Sequence, residues 1–458
     1  MQLPASFIES IQNAKGFDRE AFEQVHASGA QMTSVRINPG KNVNGQWSMV
    51  NSPLNKVPWS STGFYLNERP SFTADPLFHA GAYYVQEASS MFLEEVLKQA
   101  TQLAESLKVL DLCAAPGGKS TLIQSLISDE SLLVSNEVIK TRVNILSENI
   151  TKWGAANVVV ANNDAKDFQR LPGYFDVIVV DAPCSGSGLF RKDPAAVSEW
   201  SEQNVALCSQ RQQRILADVL PALKDDGILI YSTCSYSEEE DEQISDWLIE
   251  SYGLESISCK IDASFGIVET ISAKQNAYGY RFYPDKVKGE GFFIAAFKKL
   301  KSENGEWKPG KQKNKSERLG AKEIDIVKPF LKKSSDFLFI KQNEDVIAFP
   351  KLLEDELTAI QNALYIKKAG VKLGTIIRNE LIPDHELALS TIVSENIASI
   401  EADRDMALQY LRKLDIQAVT DRKGWALIKY GQLNLGWIKI LSNRINNYYP
   451  KEWRILNK

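Results

Sequence analysis

Two cysteines stand where a thiol could do covalent chemistry. Cys184 lies in Asp181-Ala-Pro-Cys-Ser-Gly-Ser-Gly188 and Cys234 in Tyr231-Ser-Thr-Cys-Ser235, each just past a run of apolar residues. A thiol of pKa ~8.5 is appreciably ionised near neutrality when locally stabilised, and the thiolate is the nucleophile. If the two runs are neighbouring strands of a parallel sheet, about 4.8 Å apart, both thiols emerge at one ligand-bearing rim. One could attack a substrate while the other helps the adduct break down. The alternative is a pair of small buried hydrophobes, the usual fate of free cysteine. Cys208 and Cys259 have no comparable setting and read as core residues, and Cys113 as mainly structural. The five cysteines include no CxxC pair, and the three histidines (His26, His79, His385) are far apart in the chain. No metal and no disulfide framework is therefore expected, and free thiols fit a reducing cytoplasm.

A second group of residues could hold a small molecule. After the apolar run 108–113 comes Asp111-Leu-Cys-Ala-Ala-Pro-Gly-Gly-Lys-Ser120, a strand turning through glycines into a helix. Such a turn lets backbone N–H groups approach a ligand closely. A phosphate loop would need glycine where Cys113 stands, and the dinucleotide fingerprint GxGxxG is absent. S-adenosylmethionine has no phosphate and carries a sulfonium cation, so it calls for carboxylates. Glu137 ends the second strand, where it can accept both ribose hydroxyls. Asp164 follows the third, within reach of an adenine amino group, and Asp181 ends the fourth. Strand-end carboxylates also cap following helices, and that alternative stands beside this one.

Taken together, a methyl donor and a thiol pair suit one reaction. C5 of cytosine is too weak a nucleophile to take a methyl group directly. A thiolate adding to C6 makes the ring an enamine whose C5 can attack the sulfonium methyl. An acid near N3 assists the addition, and Asp181 is placed to provide it.

The elements that must position these residues follow from the apolar pattern. Strands are expected at 108–113, 132–137, 157–162, 175–183, 227–235 and 291–299, with helices beginning near Lys119, Ile139, Asn204 and Glu238. Short apolar strands alternating with helices imply an α/β fold with a parallel, Rossmann-like sheet over residues 76–300. Before it, residues 1–75 read as a small helical domain ending in a strand at 34–39, then a Pro/Ser-rich stretch. Residues 301–320 read as a charged linker and 321–458 as a mixed α+β region.

The 458 residues are 44% apolar and 24% charged, typical of a soluble globular protein. No run approaches the ~20 apolar residues of a membrane span, and the N-terminus does not read as a secretory signal. Net charge is −5, but residues 1–300 carry −11 and residues 301–458 carry +6. That asymmetry fits a catalytic body joined to an anion-seeking tail. The tail interleaves aromatics and cations: Trp425, Lys429, Tyr430, Trp437, Lys439, Arg444, Tyr448, Tyr449, Lys451 and Arg454. Stacking rings with phosphate-binding cations are what RNA recognition uses, and the same aromatics could equally form the core of a small β domain.

The segments 110–121, 181–194 and 231–242, preceded by 78–91, resemble the NOL/NOP/SUN-type RNA (cytosine-5) methyltransferases in type and order. Residues 371–389 and 433–455 look like the bacterial RsmF branch of that family, which modifies 16S ribosomal RNA. The resemblance implies that S-adenosylmethionine is held by Cys113, Ala114, Ala115, Pro116, Gly117, Gly118, Lys119, Glu137, Asp164 and Asp181. It also implies that Cys234 is the nucleophile, that Cys184 promotes product release, and that Lys119 and Asp181 position or protonate the base. A PUA-like RNA-binding module is implied near 400–458, in a cytoplasmic enzyme acting on RNA, expected as a monomer. The chain departs from the family pattern at Ser187, where Glu or Met is common, which bears on a substrate-loop contact. A transfer RNA substrate, or a non-catalytic ribosome-assembly role, is the alternative; a pure binder would need neither thiol.

Overall fold

The computed structural model describes residues 3–41, 55–301, 317–417 and 420–456. The β-branched runs form strands with side chains on both faces buried, as a sheet covered by helices requires. In β5 (Lys108–Asp111), β6 (Leu132–Asn136), β7 (Val158–Ala161), β8 (Phe175–Asp181) and β9 (Leu223–Thr233), alternate residues enter two different cores. Leu110, Val134, Ile178 and Leu229 pack on one face, while Val109, Leu133, Val177 and Ile230 pack on the other. The strands pair in parallel as β7-β6-β5-β8-β9. Antiparallel β13 (Phe292–Lys298) follows β9 and continues to β12 (Tyr278–Phe282) and β11 (Val268–Ile271), with β10 (Glu255–Ile257) also on β13. The helices between them are Gly118–Leu126, Lys140–Trp153, Glu202–Val219 and Glu242–Tyr252, each within a few residues of its expected start.

In the N-terminal region, helices Ala5–Ile11 and Arg19–Ala27 lead into β1 (Thr33–Ile37). The stretch after it is not wholly irregular: β2 (Asn55–Lys56) and β3 (Gly63–Leu66) join β1, and β4 (Tyr83–Val85) completes a sheet ordered β2-β3-β1-β4. The charged stretch 302–316 lies outside the described residues, and Glu317–Arg318 already form β14.

The C-terminal region builds two further sheets. One is ordered β14-β15-β16-β18-β19, with β15 at Phe337–Gln342, β16 at Asp345–Pro350, β18 at Val371–Ile377 and β19 at Glu380–Pro383. The other is β20 (Ser399–Glu401), β21 (Gly424–Tyr430), β22 (Leu433–Ile440) and β23 (Ile445–Asn447). Between them in sequence, β17 (Ile366–Ala369) pairs antiparallel with β7, so this region supplies an edge strand to the central sheet. That covers an edge that would otherwise present unpaired backbone groups.

Candidate active site

Parallel pairing of β8 with β9 sets Asp181 opposite Ser232, so the turns that follow run side by side. They bring the two half-buried thiols together, Cys184 Sγ lying 3.0 Å from Cys234 Sγ with no disulfide between them. The hydrogen bond with Cys234, and then burial, push the Cys184 thiol well above its usual range. Cys208 and Cys259 are buried in the core, as expected. Cys113 is half-buried at the start of the glycine loop, and burial pushes its thiol up too.

The turns are laced together by backbone. Gly188 N–H donates to the Cys234 carbonyl at 2.8 Å, and Gly291 N–H donates to the Gly188 carbonyl at 3.1 Å. A Cβ at Gly188 would lie 2.4 Å from the Gly291 oxygen and 2.8 Å from that of Cys234, so only glycine fits. Ser187 is fully buried and accepts the Tyr236 N–H at 3.0 Å, so it bonds the neighbouring turn.

The glycine loop follows β5. Gly117, at φ +115°, caps the helix Gly118–Leu126, and the Ala115–Pro116 peptide is cis. Asp111 accepts the Ser120 hydroxyl on Oδ2 at 2.6 Å, and burial raises its carboxyl to about 7. Its other oxygen, Oδ1, is buried without a hydrogen-bond partner among the described residues. Glu137 and Asp164 each use one oxygen locally: Ile139 N–H donates to Glu137 Oε1 at 2.9 Å, and Lys166 N–H to Asp164 Oδ1 at 3.2 Å. Each turns its other oxygen toward an exposed arginine, Arg142 at 3.2 Å and Arg214 at 4.0 Å. Arg142 also donates to the Ala115 carbonyl at 2.6 Å, tying Glu137 to the loop. A positive-φ glycine turn, an unpartnered buried Asp oxygen and successive carboxylates suit a cationic ligand with hydroxyls and an amine. S-adenosylmethionine fits that description.

Between loop and thiols, Lys119 Nζ lies 2.7 Å from Asp181 Oδ2 and 5.1 Å from the Phe292 ring centroid. The Ser232 hydroxyl donates to Asp181 Oδ1 at 2.8 Å. Asp181 keeps 36% of its side chain exposed, so this pair faces the open rim.

Four contributing residues were not singled out in the sequence: Arg36, Arg142, Ser232 and Glu240. Arg36 reaches from β1 to bond Thr121 Oγ1 at 2.5 Å and Ser125 Oγ at 3.2 Å, locking the helix after the glycine loop. Only the run Glu238-Glu-Glu-Asp-Glu242 hinted at the last of these, without showing which carboxylate turns inward.

In the C-terminal sheet the expected RNA-stacking aromatics divide. Trp437 and Tyr449 are 1% exposed and form core, so they cannot stack on a base. Trp425 and Tyr448 meet edge-on at the surface, ring centroids 4.5 Å apart, with Lys439 Nζ 4.9 Å from the Trp425 ring.

Three family models match the chain: the N-terminal domain of 16S rRNA methyltransferase RsmF at residues 3–88, the 16S rRNA methyltransferase RsmB/F at 98–298, and the methyltransferase RsmF PUA domain at 398–455. Ribosomal RNA small subunit methyltransferase F of Vibrio vulnificus is 32% identical over 87% of this chain and 85% of its own length. The protein of that name from Aeromonas salmonicida is 32% identical over 92% of this chain and 90% of its own. A methyltransferase homolog from Pyrococcus horikoshii, 26% identical, superposes on 65% of this chain and 100% of its own with a TM-score of 0.53. With matches spanning its N-terminal, catalytic and C-terminal regions, the chain belongs to the ribosomal RNA small subunit methyltransferase F family.

Proposed function

We propose that this chain transfers a methyl group from S-adenosylmethionine to C5 of a cytosine in 16S ribosomal RNA, through a covalent bond between Cys234 and C6. The observation that carries the reading is the 3.0 Å approach of Cys184 and Cys234 beside the Lys119–Asp181 pair.

Cys234, as thiolate, adds to C6 while N3 takes a proton from the Lys119 ammonium, which the Asp181 carboxylate holds in place at 2.7 Å. Bound S-adenosylmethionine supplies the electrophilic methyl that C5 captures, with Glu137 on the ribose and Asp164 on the adenine. The C5 proton then passes to water at the open rim, the C6–S bond breaks, N3 returns its proton to Lys119, and Cys234 leaves as thiolate. Cys184, whose raised pKa keeps its proton in place, donates S–H to the departing sulfur and lowers the cost of that step. The choice of Cys234 rather than Cys184 as nucleophile follows the order of the two motifs in the family that the sequence resembles. The surface pair Trp425 and Tyr448, with Lys439, is the part of the PUA-like region best suited to RNA.

Bisulfite sequencing of total RNA from a deletion strain tests this. We expect one or more protected 16S rRNA cytosines to become convertible, and to be protected again by the wild-type gene but not by Cys234→Ala. Loss of protection in a transfer RNA would change the substrate, and no loss anywhere would contradict the C5 chemistry.

A further inference from the structure

We propose that Glu240 is a positioning residue that holds the two thiols in register, and that its main effect falls on release of the RNA adduct. Glu240 lies between β9 and the helix Glu242–Tyr252, and none of its side chain reaches solvent. Its Oε1 accepts the Ser185 backbone N–H at 2.9 Å and the Gln212 amide at 3.0 Å. Its Oε2 is 2.5 Å from the Ser185 hydroxyl and 2.6 Å from that of Ser235. Ser185 follows Cys184 and Ser235 follows Cys234, so one carboxyl grips the residue after each thiol. Gln212 extends the grip, donating also to the Pro183 carbonyl at 3.1 Å. Tyr231 fixes the hub by donating to the Glu240 carbonyl at 2.6 Å.

A buried group without its own charge partner is costly unless its hydrogen bonds are complete. Here a carboxyl offers two acceptor oxygens to two fixed N–H donors and two hydroxyls, an arrangement an amide cannot reproduce in full. The two turns do not depend on it equally. Cys234 is also held by β9 and by Thr233, whose hydroxyl donates to Asp241 at 2.6 Å and accepts the Ser235 N–H at 3.3 Å. Ser185 is held by both its backbone and its side chain to Glu240. Loosening the hub therefore displaces Cys184 more than Cys234, leaving attack largely intact and release impaired.

The inference rests on the covalent reading above, and the test separates the two. Full-length wild type, Cys184→Ala, Glu240→Gln and Glu240→Ala are incubated with S-adenosylmethionine and 16S rRNA from a strain lacking the gene, then run on denaturing gels. Cys184→Ala must give an adduct; if it does not, the covalent reading fails first. Given that adduct, we expect Glu240→Ala to accumulate about tenfold more adduct than wild type, with lower kcat and unchanged KM for RNA. Glu240→Gln should move the same way by less, and adding Glu240→Ala to Cys184→Ala should add little, because the two act on one step. Glu240→Gln decides the question if the alanine variant does not fold. Folded variants that lose activity without gaining adduct, or that keep wild-type turnover, would overturn the proposal.

Discussion

Among single residues, the proposed reaction is shared by side chains whose surroundings differ. Lys119 and Asp181 form an ion pair at an open rim, whereas the Cys184 thiol is kept protonated by its sulfur neighbour and by burial. Removing the cation while keeping its stem isolates the proton-supply role. We expect Lys119→Met to lower the single-turnover rate by about 10²–10⁴, the range for a lost general acid, while S-adenosylhomocysteine affinity changes far less. Quench-flow and calorimetric titration give the two numbers, and an equal loss in both would make Lys119 a cofactor ligand only. The sequence marked Asp181 and both thiols because each occupies a strand end or its turn, a position that periodicity and turn residues reveal, whereas Lys119 entered through the family resemblance. The sequence marked Ser187 only as a departure from the family pattern and could not mark Glu240, because both roles depend on which neighbouring turn lies within 3 Å.

At the scale of elements, the glycine loop is braced from outside its own strand and helix. Arg36, on β1, is buried and donates to Thr121, Ser125 and Gln86, and stacks 4.5 Å from the Trp153 ring centroid. Burial lowers its pKa to about 9. We expect Arg36→Met to cost about 1–3 kcal/mol in urea unfolding, since it leaves partners unsatisfied, and to weaken cofactor binding. Unchanged affinity would mean the loop is positioned without this brace. Of the central sheet, β10, β11 and β12 went unmarked, but β5, β6, β7, β8 and β13 were legible to within two residues, and β9 apart from its first four, because burial on both faces leaves an unbroken apolar run. β2, β3 and β17 were not, since Asn55–Lys56 carries no apolar signal and Ile366–Ala369 is a mixed four-residue edge. Edge strands are chosen by the partner they find, which lies far away in sequence.

At the scale of the whole molecule, the C-terminal region is a structural part of the catalytic body. β17 completes the central sheet, and His79 and His385 meet around Tyr449 where the N-terminal and C-terminal regions touch. Burial lowers His385 to about 3 and His79 to about 4, from an ordinary 6.5. Both are neutral when folded, and the unfolded chain takes up protons below pH 6.5, so their contribution is complete above that pH and is lost as pH falls toward 3–4. His385 has no hydrogen-bond partner on either ring nitrogen among the described residues, so phenylalanine would forfeit no bond there. We expect the thermal midpoint to fall less steeply between pH 6.5 and 4 in His385→Phe than in wild type. Parallel slopes would show that this junction does not set the acid sensitivity. The charge asymmetry between the two parts of the chain was legible in the sequence, but their union through β17, a core shared by Leu338, Phe349 and Ile360, and the two histidines was not.

Peptide mapping of the covalent adduct formed by Cys184→Ala on 16S rRNA tests directly which thiol attacks the base. After nuclease and protease digestion, mass spectrometry should place a methylated cytidine nucleotide on the peptide carrying Cys234, and Cys184→Ala combined with Cys234→Ala should yield none. A nucleotide on any other residue, or an adduct that survives in the double variant, would contradict the assignment of Cys234 as nucleophile.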